Sequence, residues 1–227
     1  MTAPTTLITG ANRGLGLEFA RQCVARGDRV IAGCRHPDEA DELQAIASDS
    51  LEIVAIDVAS DASIADTAAA VDGPVSLLVN NAGIYGGDDQ SIAEVDSQIA
   101  ADVYRTNVIG PMMLMQALAP KLASDARVLN VSSGYASIAS AAADWPIMYC
   151  CSKAALNMLA AIVGRDWSET DRVVVAMSPG WVRTDMGGDA ADLSPEQSVR
   201  GMLAAIDELH PSDTGRFLDW QGEAKPY

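Results

Sequence analysis

Thr5-Thr6-Leu7-Ile8-Thr9-Gly10-Ala11-Asn12-Arg13-Gly14-Leu15-Gly16 is the stretch on which the reading of this chain turns. Its first five residues are apolar or β-branched and predict a strand over Thr5–Thr9, and apolar residues at helical spacing predict a helix over Leu15–Arg26. Between the two, Gly10, Gly14 and Gly16 permit a tight turn and let the backbone approach a pyrophosphate closely. The N-terminus of the helix offers that anion unpaired N–H groups and the positive end of its dipole. A glycine-rich string carries little weight alone; a strand before it and a helix after it supply the context that a dinucleotide site demands.

Outward from the turn, short apolar runs recur at Arg29–Ala32, Leu51–Ile56, Ser76–Asn80, Arg127–Val131, Arg172–Met177 and Gly215–Leu218. They do not alternate between apolar and polar residues, as befits strands buried on both faces. Helical stretches at Asp38–Ala47, Ile64–Val71, Asp96–Leu122, Tyr149–Thr170 and Pro195–Leu209 separate them, the last with Ser194 as N-cap, Pro195 in its first position and Gln197 three residues after the cap. Strand and helix alternate from end to end without repeat, low-complexity tract or linker. The expectation is an α/β chain: a doubly wound, seven-stranded parallel sheet with helices on both faces, one domain over residues 1–227.

Length and composition agree, since 227 residues with 49% hydrophobic and 20% charged suit one globular unit. A formal net charge of −16 argues against nucleic acid or an anionic membrane as partner and is compatible with good solubility or a salt-adapted source. No apolar run approaches the roughly 20 residues of a membrane-spanning helix, and MTAPTTLITG has neither a basic segment nor a cleavable apolar core, so the expected location is cytoplasmic. Cys23, Cys34, Cys150 and Cys151 show no metal-ligand spacing, and His36 and His210 are the only imidazoles; free buried thiols and no metal site are expected.

Two further clusters bear on chemistry. Where NAD-binding enzymes carry an acidic residue for the adenosine ribose, this chain has Cys34 followed by Arg35. An arginine there favours a 2′-phosphate through a charge-assisted contact, and Arg13 in the glycine turn would face the same group; the alternative is a solvated Arg35 paired with Asp38 or Glu39. NADP(H) is expected ahead of NAD(H). In Tyr149-Cys150-Cys151-Ser152-Lys153, a separation of four puts Tyr149 and Lys153 on one helix face. A tyrosine of pKa about 10 is a poor base at neutral pH, and a nearby ammonium is expected to lower that value.

These motifs, in this order, resemble the short-chain dehydrogenases/reductases. The glycine spacing after Thr9 is similar to their cofactor turn, with Asn12, Arg13 and Leu15 inside it, and Tyr-x-x-x-Lys matches their catalytic pair. The resemblance implies strand order 3-2-1-4-5-6-7. It further implies that Asp57 and Val58 read the adenine and that Asn81, Ala82 and Gly83, in Asn80-Asn81-Ala82-Gly83, pass beside the ribose. Pro179, Gly180, Val182 and Thr184 would cover the nicotinamide. Tyr149 would be the general acid–base and Lys153 would also bind the nicotinamide ribose. Ser133, with Ser132 as the fallback, would hydrogen-bond the substrate oxygen, and Asn107 would kink a long helix and hold a proton-relaying water. The stretch between Ser133 and Tyr149, together with Pro179–Gly188, resembles the carbonyl-reductase-like branch that includes the Sniffer and C-factor-like proteins.

The function implied by this resemblance is hydride transfer between the nicotinamide and a small carbonyl or alcohol. Ile84, Tyr85, Tyr135, Trp145, Met148, Trp181 and Met186 are candidate pocket residues, each equally readable as core or interface. Residues 184–195, with Gly187 and Gly188, read as a short mobile lid over the substrate. Alternatives are a cofactor-binding regulatory or signalling protein with little turnover and an alcohol dehydrogenase working in the oxidative direction. A homodimer or homotetramer through the two long helices is expected from the resemblance.

Overall fold

In chain order the elements are β1 (Thr5–Thr9), α1 (Gly14–Ala25), β2 (Arg29–Cys34), α2 (Asp41–Gln44), β3 (Leu51–Ala55), α3 (Asp61–Ala70) and β4 (Val75–Asn80). They continue with α4 (Ser97–Tyr104), α5 (Gly110–Leu118), β5 (Leu122–Val131), α6 (Ile147–Asp166), β6 (Val173–Ser178), α7 (Pro195–Glu208) and β7 (Phe217–Asp219). The computed structural model describes residues 3–227 except 47 and 89. All seven strands form one parallel sheet in the order β3-β2-β1-β4-β5-β6-β7, the doubly wound Rossmann topology.

Two apolar layers sandwich the sheet. On one face Ile8, Val79, Leu129 and Val175 pack with Leu17, Phe19, Val199 and Met202 of α1 and α7. On the other Leu7, Leu78, Val128 and Val174 pack with Ile64, Leu114, Leu118 and Ala160 of α3, α5 and α6. Because every strand runs the same way, the carboxyl ends of β1, β4, β5 and β6 open on one edge, where such folds bind ligands.

Several sequence expectations need correction. The stretch Asp38–Ala47 is not one helix: a 3-10 turn at Pro37–Glu39 precedes the short α2, and Ala47 lies outside the described residues. Asp96–Leu122 is likewise interrupted. A π turn at Arg105–Ile109 separates α4 from α5, a 3-10 turn follows at Ala119–Lys121, and Leu122 already belongs to β5, pairing with Val75. Helix α6 starts at Ile147, not Tyr149, because Pro146 takes the N-cap position.

At 20 residues α6 is also apolar and long enough to cross a membrane by composition, contrary to the sequence reading. Half of its most apolar window is buried within the protein, where it packs beneath β5 and β6. The thiols also differ from expectation: Cys23 and Cys34 are buried, whereas Cys150 is half-buried and Cys151 is exposed on the outer side of α6. By contrast, the capping box of Ser194 and Gln197 forms at α7 as read.

Candidate active site

Gly10 and Gly14 both adopt positive φ, at 65° and 54°, and turn the chain sharply from β1 into α1. Gly16 is required for a different reason, since a Cβ there would sit 2.1 Å from the Gly10 carbonyl oxygen. Thr9 and Asn81 tie this turn to the end of β4. The Thr9 hydroxyl accepts from the amides of Asn81 and Ala82, each at 3.1 Å, and the Asn81 side chain donates to the carbonyls of Thr9 and Gly10 at 2.9 and 3.1 Å.

The N-terminus of α1 has no side-chain cap and no acidic residue in its first turn, whereas α3, α4 and α7 are capped by Ser60, Asp96 and Ser194. A Cβ on Gly14 would meet only the Thr184 side chain, at 3.5 Å or more. The turn and the segment after β6 thus lie against one another, beside helix-start amides that no side chain caps. That arrangement fits a pyrophosphate.

The other cofactor candidates have varied partners. Arg35 is exposed immediately after β2. Arg13 is engaged in an ion pair with Asp185 of the opposing segment. Asp57 uses Oδ1 to accept from the Ala59 amide at 2.9 Å, and Val58 is buried under Gly110. Pro179 accepts at its carbonyl from Ser198 of α7 at 2.7 Å. Val182 is buried, and the loop that follows closes at its base, with Arg183 N to Leu193 O at 2.9 Å and Leu193 N to Trp181 O at 3.0 Å. Within it Gly187 permits close packing on the Val182 carbonyl, which a Cβ would approach to 2.0 Å.

The reactive centre forms where β5 ends beside the first turns of α6. Ser133, just past the strand, accepts at its hydroxyl from the Tyr135 amide at 3.2 Å, while Ser132 turns into the core and donates to Asn157 at 2.6 Å. Lys153 is buried, donates to the Val131 carbonyl at 2.8 Å and places Nζ 5.7 Å from the centroid of the Tyr149 ring. Burial pushes Tyr149 up to about 12, against the opposing pull of the nearby Ser133 hydroxyl, and pushes Lys153 down to about 8. The tyrosine therefore shifts upward, contrary to the expectation from the neighbouring ammonium, and loss of hydration is the largest cause.

Asn107 sits in the π turn, a distortion often found at functional sites. Its side chain accepts from Ile84 N at 2.8 Å and donates to Ile84 O at 2.9 Å and to Ser152 Oγ at 3.0 Å. A Cβ on Gly83 would lie 3.2 Å from Asn107 Oδ1 and 3.5 Å from Lys153 Nζ, so the glycine keeps the passage between them clear.

Of the pocket candidates, two aromatic residues flank Tyr149 and a third packs on one of them. Tyr85 lies 5.1 Å and Tyr135 6.5 Å from it, centroid to centroid, and Trp145 stacks 4.7 Å from Tyr135. Ile84 forms the clamped start of the same loop, and Met148 is buried beneath Gly86. Trp181 and Met186 stand apart and half-exposed on the segment after β6, where the Trp181 indole donates to Gly187 O at 2.8 Å.

Sequence reasoning missed Ser152 and Gln90. The Ser152 hydroxyl donates to the Tyr149 carbonyl at 2.7 Å, a reach-back of three residues that its place inside the Tyr-x-x-x-Lys motif could have signalled. Gln90 contacts Tyr149 from 59 residues away, and nothing local marks it.

A parallel sheet with an uncapped glycine turn at its carboxyl edge, and a Ser, Tyr and Lys cluster beside it, defines a dinucleotide-dependent oxidoreductase fold. The chain belongs to the short-chain dehydrogenase/reductase family: the family model described as short chain dehydrogenase matches residues 4–194. Among sequence relatives, C-signal of Myxococcus xanthus is 41% identical over 157 residues, covering 68% of this chain and 94% of the relative. The NADPH-bound carbonyl reductase from chicken fatty liver superposes with a TM-score of 0.92 at 36% identity, and the carbonyl reductase Sniffer of D. melanogaster with 0.93 at 29%. Each comparison covers 100% of both chains. These likenesses put the chain in the carbonyl-reductase-like branch.

Proposed function

We propose that the protein is an NADP(H)-dependent carbonyl reductase acting on a small carbonyl substrate, with Tyr149 as general acid. The observation that carries this reading is the buried phenol of Tyr149 beside the end of β5, with the buried Lys153 placing Nζ 5.7 Å from the centroid of its ring. A bound nicotinamide supplies hydride to the carbonyl carbon. Tyr149 gives its proton to the carbonyl oxygen, and Ser133 donates a hydrogen bond to the same oxygen as charge develops there. Lys153 offsets the charge left on the phenolate and binds the nicotinamide ribose hydroxyls. The side chain of Asn107 is committed to Ile84 and Ser152, so a water relay at this position runs through its backbone carbonyl.

For the cofactor, the amides of Gly14, Leu15 and Gly16 receive the pyrophosphate, with Gly10 and Asn12 shaping the turn. Arg35 and Arg13 meet the 2′-phosphate and favour NADP(H) over NAD(H). Asp57 and Val58 read the adenine, Asn81, Ala82 and Gly83 line the ribose, and Pro179, Gly180, Val182 and Thr184 cover the nicotinamide. The binding of NADPH by the chicken carbonyl reductase supports this assignment. Tyr85, Tyr135 and Trp145 form the substrate wall, and residues 184–195, carrying Met186 beyond Trp181, form the lid. The same single catalytic domain works in the cytoplasm as a homodimer or homotetramer, apart from nucleic acid and membrane. Its helices α5 and α6 expose Met112, Met158 and Ile162 for that contact.

A spectrophotometric screen of aldehydes, ketones and diketones with NADPH and with NADH tests the proposal, and NADPH oxidation by at least one carbonyl class is the expected result. The 41% identity to C-signal favours a second reading, a cofactor-binding signalling protein with little turnover. Against it stands the aromatic wall of Tyr85 and Tyr135 around the buried Tyr149, for which cofactor binding alone has no use. Absence of any absorbance change across the panel would reverse that choice.

A further inference from the structure

Gln90 lies in the loop between β4 and α4 and is 3% exposed, an unusual burial for a loop amide side chain. Its hydrogen-bonding groups are all engaged with backbone. Nε2 donates to the carbonyls of Tyr85 at 2.8 Å and Gly87 at 2.7 Å, and Oε1 accepts from the Tyr149 amide at 3.0 Å. The Gln90 carbonyl in turn accepts from Ile147 N at 3.3 Å.

The partner on the helix explains the geometry. Tyr149 is the third residue of α6, so its amide is one of those that a helix cannot satisfy internally, and Pro146 in the N-cap position has no side-chain acceptor to offer. Gln90 therefore caps the catalytic helix from a distant part of the chain. At the same time it gathers the loop before it. Gly86 and Gly87, with φ of 93° and 85°, curl the backbone so that the carbonyls of Tyr85 and Gly87 both reach the one NH₂ group. The other end of that loop, Ile84, is clamped at both its N–H and its C=O by Asn107. Between the two clamps, Tyr85 holds its ring 5.1 Å from that of Tyr149.

We propose that Gln90 is a positioning residue that sets the catalytic phenol of Tyr149 against the substrate wall formed by Tyr85. It touches neither substrate nor cofactor; one amide side chain fixes the helix turn that carries the acid and the loop that carries the aromatic face. The proposal rests on the reading of Tyr149 as the acid–base residue. A ring displaced by even part of an ångström leaves the productive geometry, and such misplacement is costly to rate.

The test uses the full chain and two variants. Gln90→Met keeps the volume and removes all three side-chain hydrogen bonds. We expect kcat/KM for the best aromatic carbonyl to fall by about tenfold or more, with KM rising, while the Kd for NADPH, titrated by nucleotide fluorescence, stays within about twofold. Backbone hydrogen exchange should quicken at residues 84–88 and 147–150 and stay unchanged in the sheet. Gln90→Glu keeps the acceptor for the Tyr149 amide and loses both donors, so protection should persist at residues 147–150 and fail at 84–88. Unchanged kinetics, exchange that quickens evenly through the sheet, equal loss of protection at both segments in Gln90→Glu, or loss of NADPH affinity in step with kcat/KM would each overturn the role. If the wild-type protein reduces no carbonyl, the functional reading fails, and the exchange experiment still decides whether Gln90 couples the two segments.

Discussion

Lys153 Nζ stands 5.7 Å from the centroid of the Tyr149 ring, and burial drives the two groups in opposite directions, the lysine down to about 8 and the tyrosine up to about 12. Both shifts favour the neutral forms. For the lysine the folded pKa lies below its ordinary value of 10.5, so between about pH 8 and 10.5 the unfolded chain binds more protons than the folded one. The burden of a buried ammonium is thus present below pH 8 and is relieved as pH rises through that window. The tyrosine contributes the reverse above its ordinary value of 10.0, where the unfolded chain loses its phenolic proton first. In the absence of cofactor, urea unfolding should show wild type gaining on Lys153→Met by on the order of 3 kcal/mol between pH 8 and 10.5. A difference that stays flat with pH would remove the buried charge from the account.

Replacing Tyr149 with Phe removes the proton donor and keeps the ring that packs against Tyr85. Turnover should fall by about 10²–10⁴-fold, the range typical of losing a positioned acid. Affinity for NADPH, followed by fluorescence titration, should change little. Equal activity in the variant would refute the assignment.

The adjacent serines separate by direction. Ser132 is buried and donates to Asn157 at 2.6 Å, while Ser133 faces the phenol. Ser132→Ala leaves Asn157 Oδ1 without a donor in the core and should cost about 1–3 kcal/mol of stability with kcat largely retained. Ser133→Ala should do the opposite, with kcat lower by about 10²-fold and the unfolding midpoint nearly unchanged. Thermal unfolding and steady-state kinetics on both variants suffice to check this.

Which features are legible in the sequence depends on which forces are local. Strand β1 is readable residue by residue because apolar, β-branched residues run directly into the glycine turn. Tyr149 and Lys153 are readable because a spacing of four is a property of one helix. The break between α4 and α5 is not, since the apolar periodicity continues across Arg105–Ile109 and the π turn at Asn107 is held by Ile84 and Ser152 from other segments. The start of β5 at Leu122 depends on pairing with Val75, and Ala123-Ser124-Asp125 carries no strand signal of its own. The direction of the Tyr149 shift escapes the motif for the same reason: burial is a tertiary quantity, while the neighbouring lysine is visible in the sequence. Gln90 is the extreme case, since every partner of its side chain is backbone.

Two glycines of the turn should fail in different ways. An added Cβ at Gly16 meets the Gly10 carbonyl oxygen at 2.1 Å and Asn81 Nδ2 at 2.5 Å, so Gly16→Ala must open the packing of α1 on β1 and should cost about 2–4 kcal/mol. At Gly14 the added methyl meets only Thr184, at 3.5 Å, and the strain of φ 54° costs about 1–2 kcal/mol. Gly14→Ala should therefore stay folded while losing the rise in melting temperature that NADPH is proposed to give the wild type, because its methyl group crowds the uncapped amides at the start of α1.

Arg13 and Asp185 form an ion pair between the turn and the segment after β6, both exposed, and this pairing bears on the proposed cofactor choice. On the proposed binding of a 2′-phosphate by Arg13, Asp185 competes for the same guanidinium. Removing the competitor in Asp185→Asn should lower KM for NADPH a few-fold and leave KM for NADH unchanged, and the effect should shrink at high ionic strength, since exposed charges are screened. Arg35, the second arginine of the proposed 2′-phosphate site, stands exposed immediately after β2. A hydrogen bond from a guanidinium to phosphate is worth about 1.5–3 kcal/mol, so Arg35→Ala should reduce the preference for NADPH over NADH by about 10- to 100-fold. Ratios of kcat/KM for the two cofactors measure both effects, and a preference for NADH in the wild type would reverse the assignment of the two arginines.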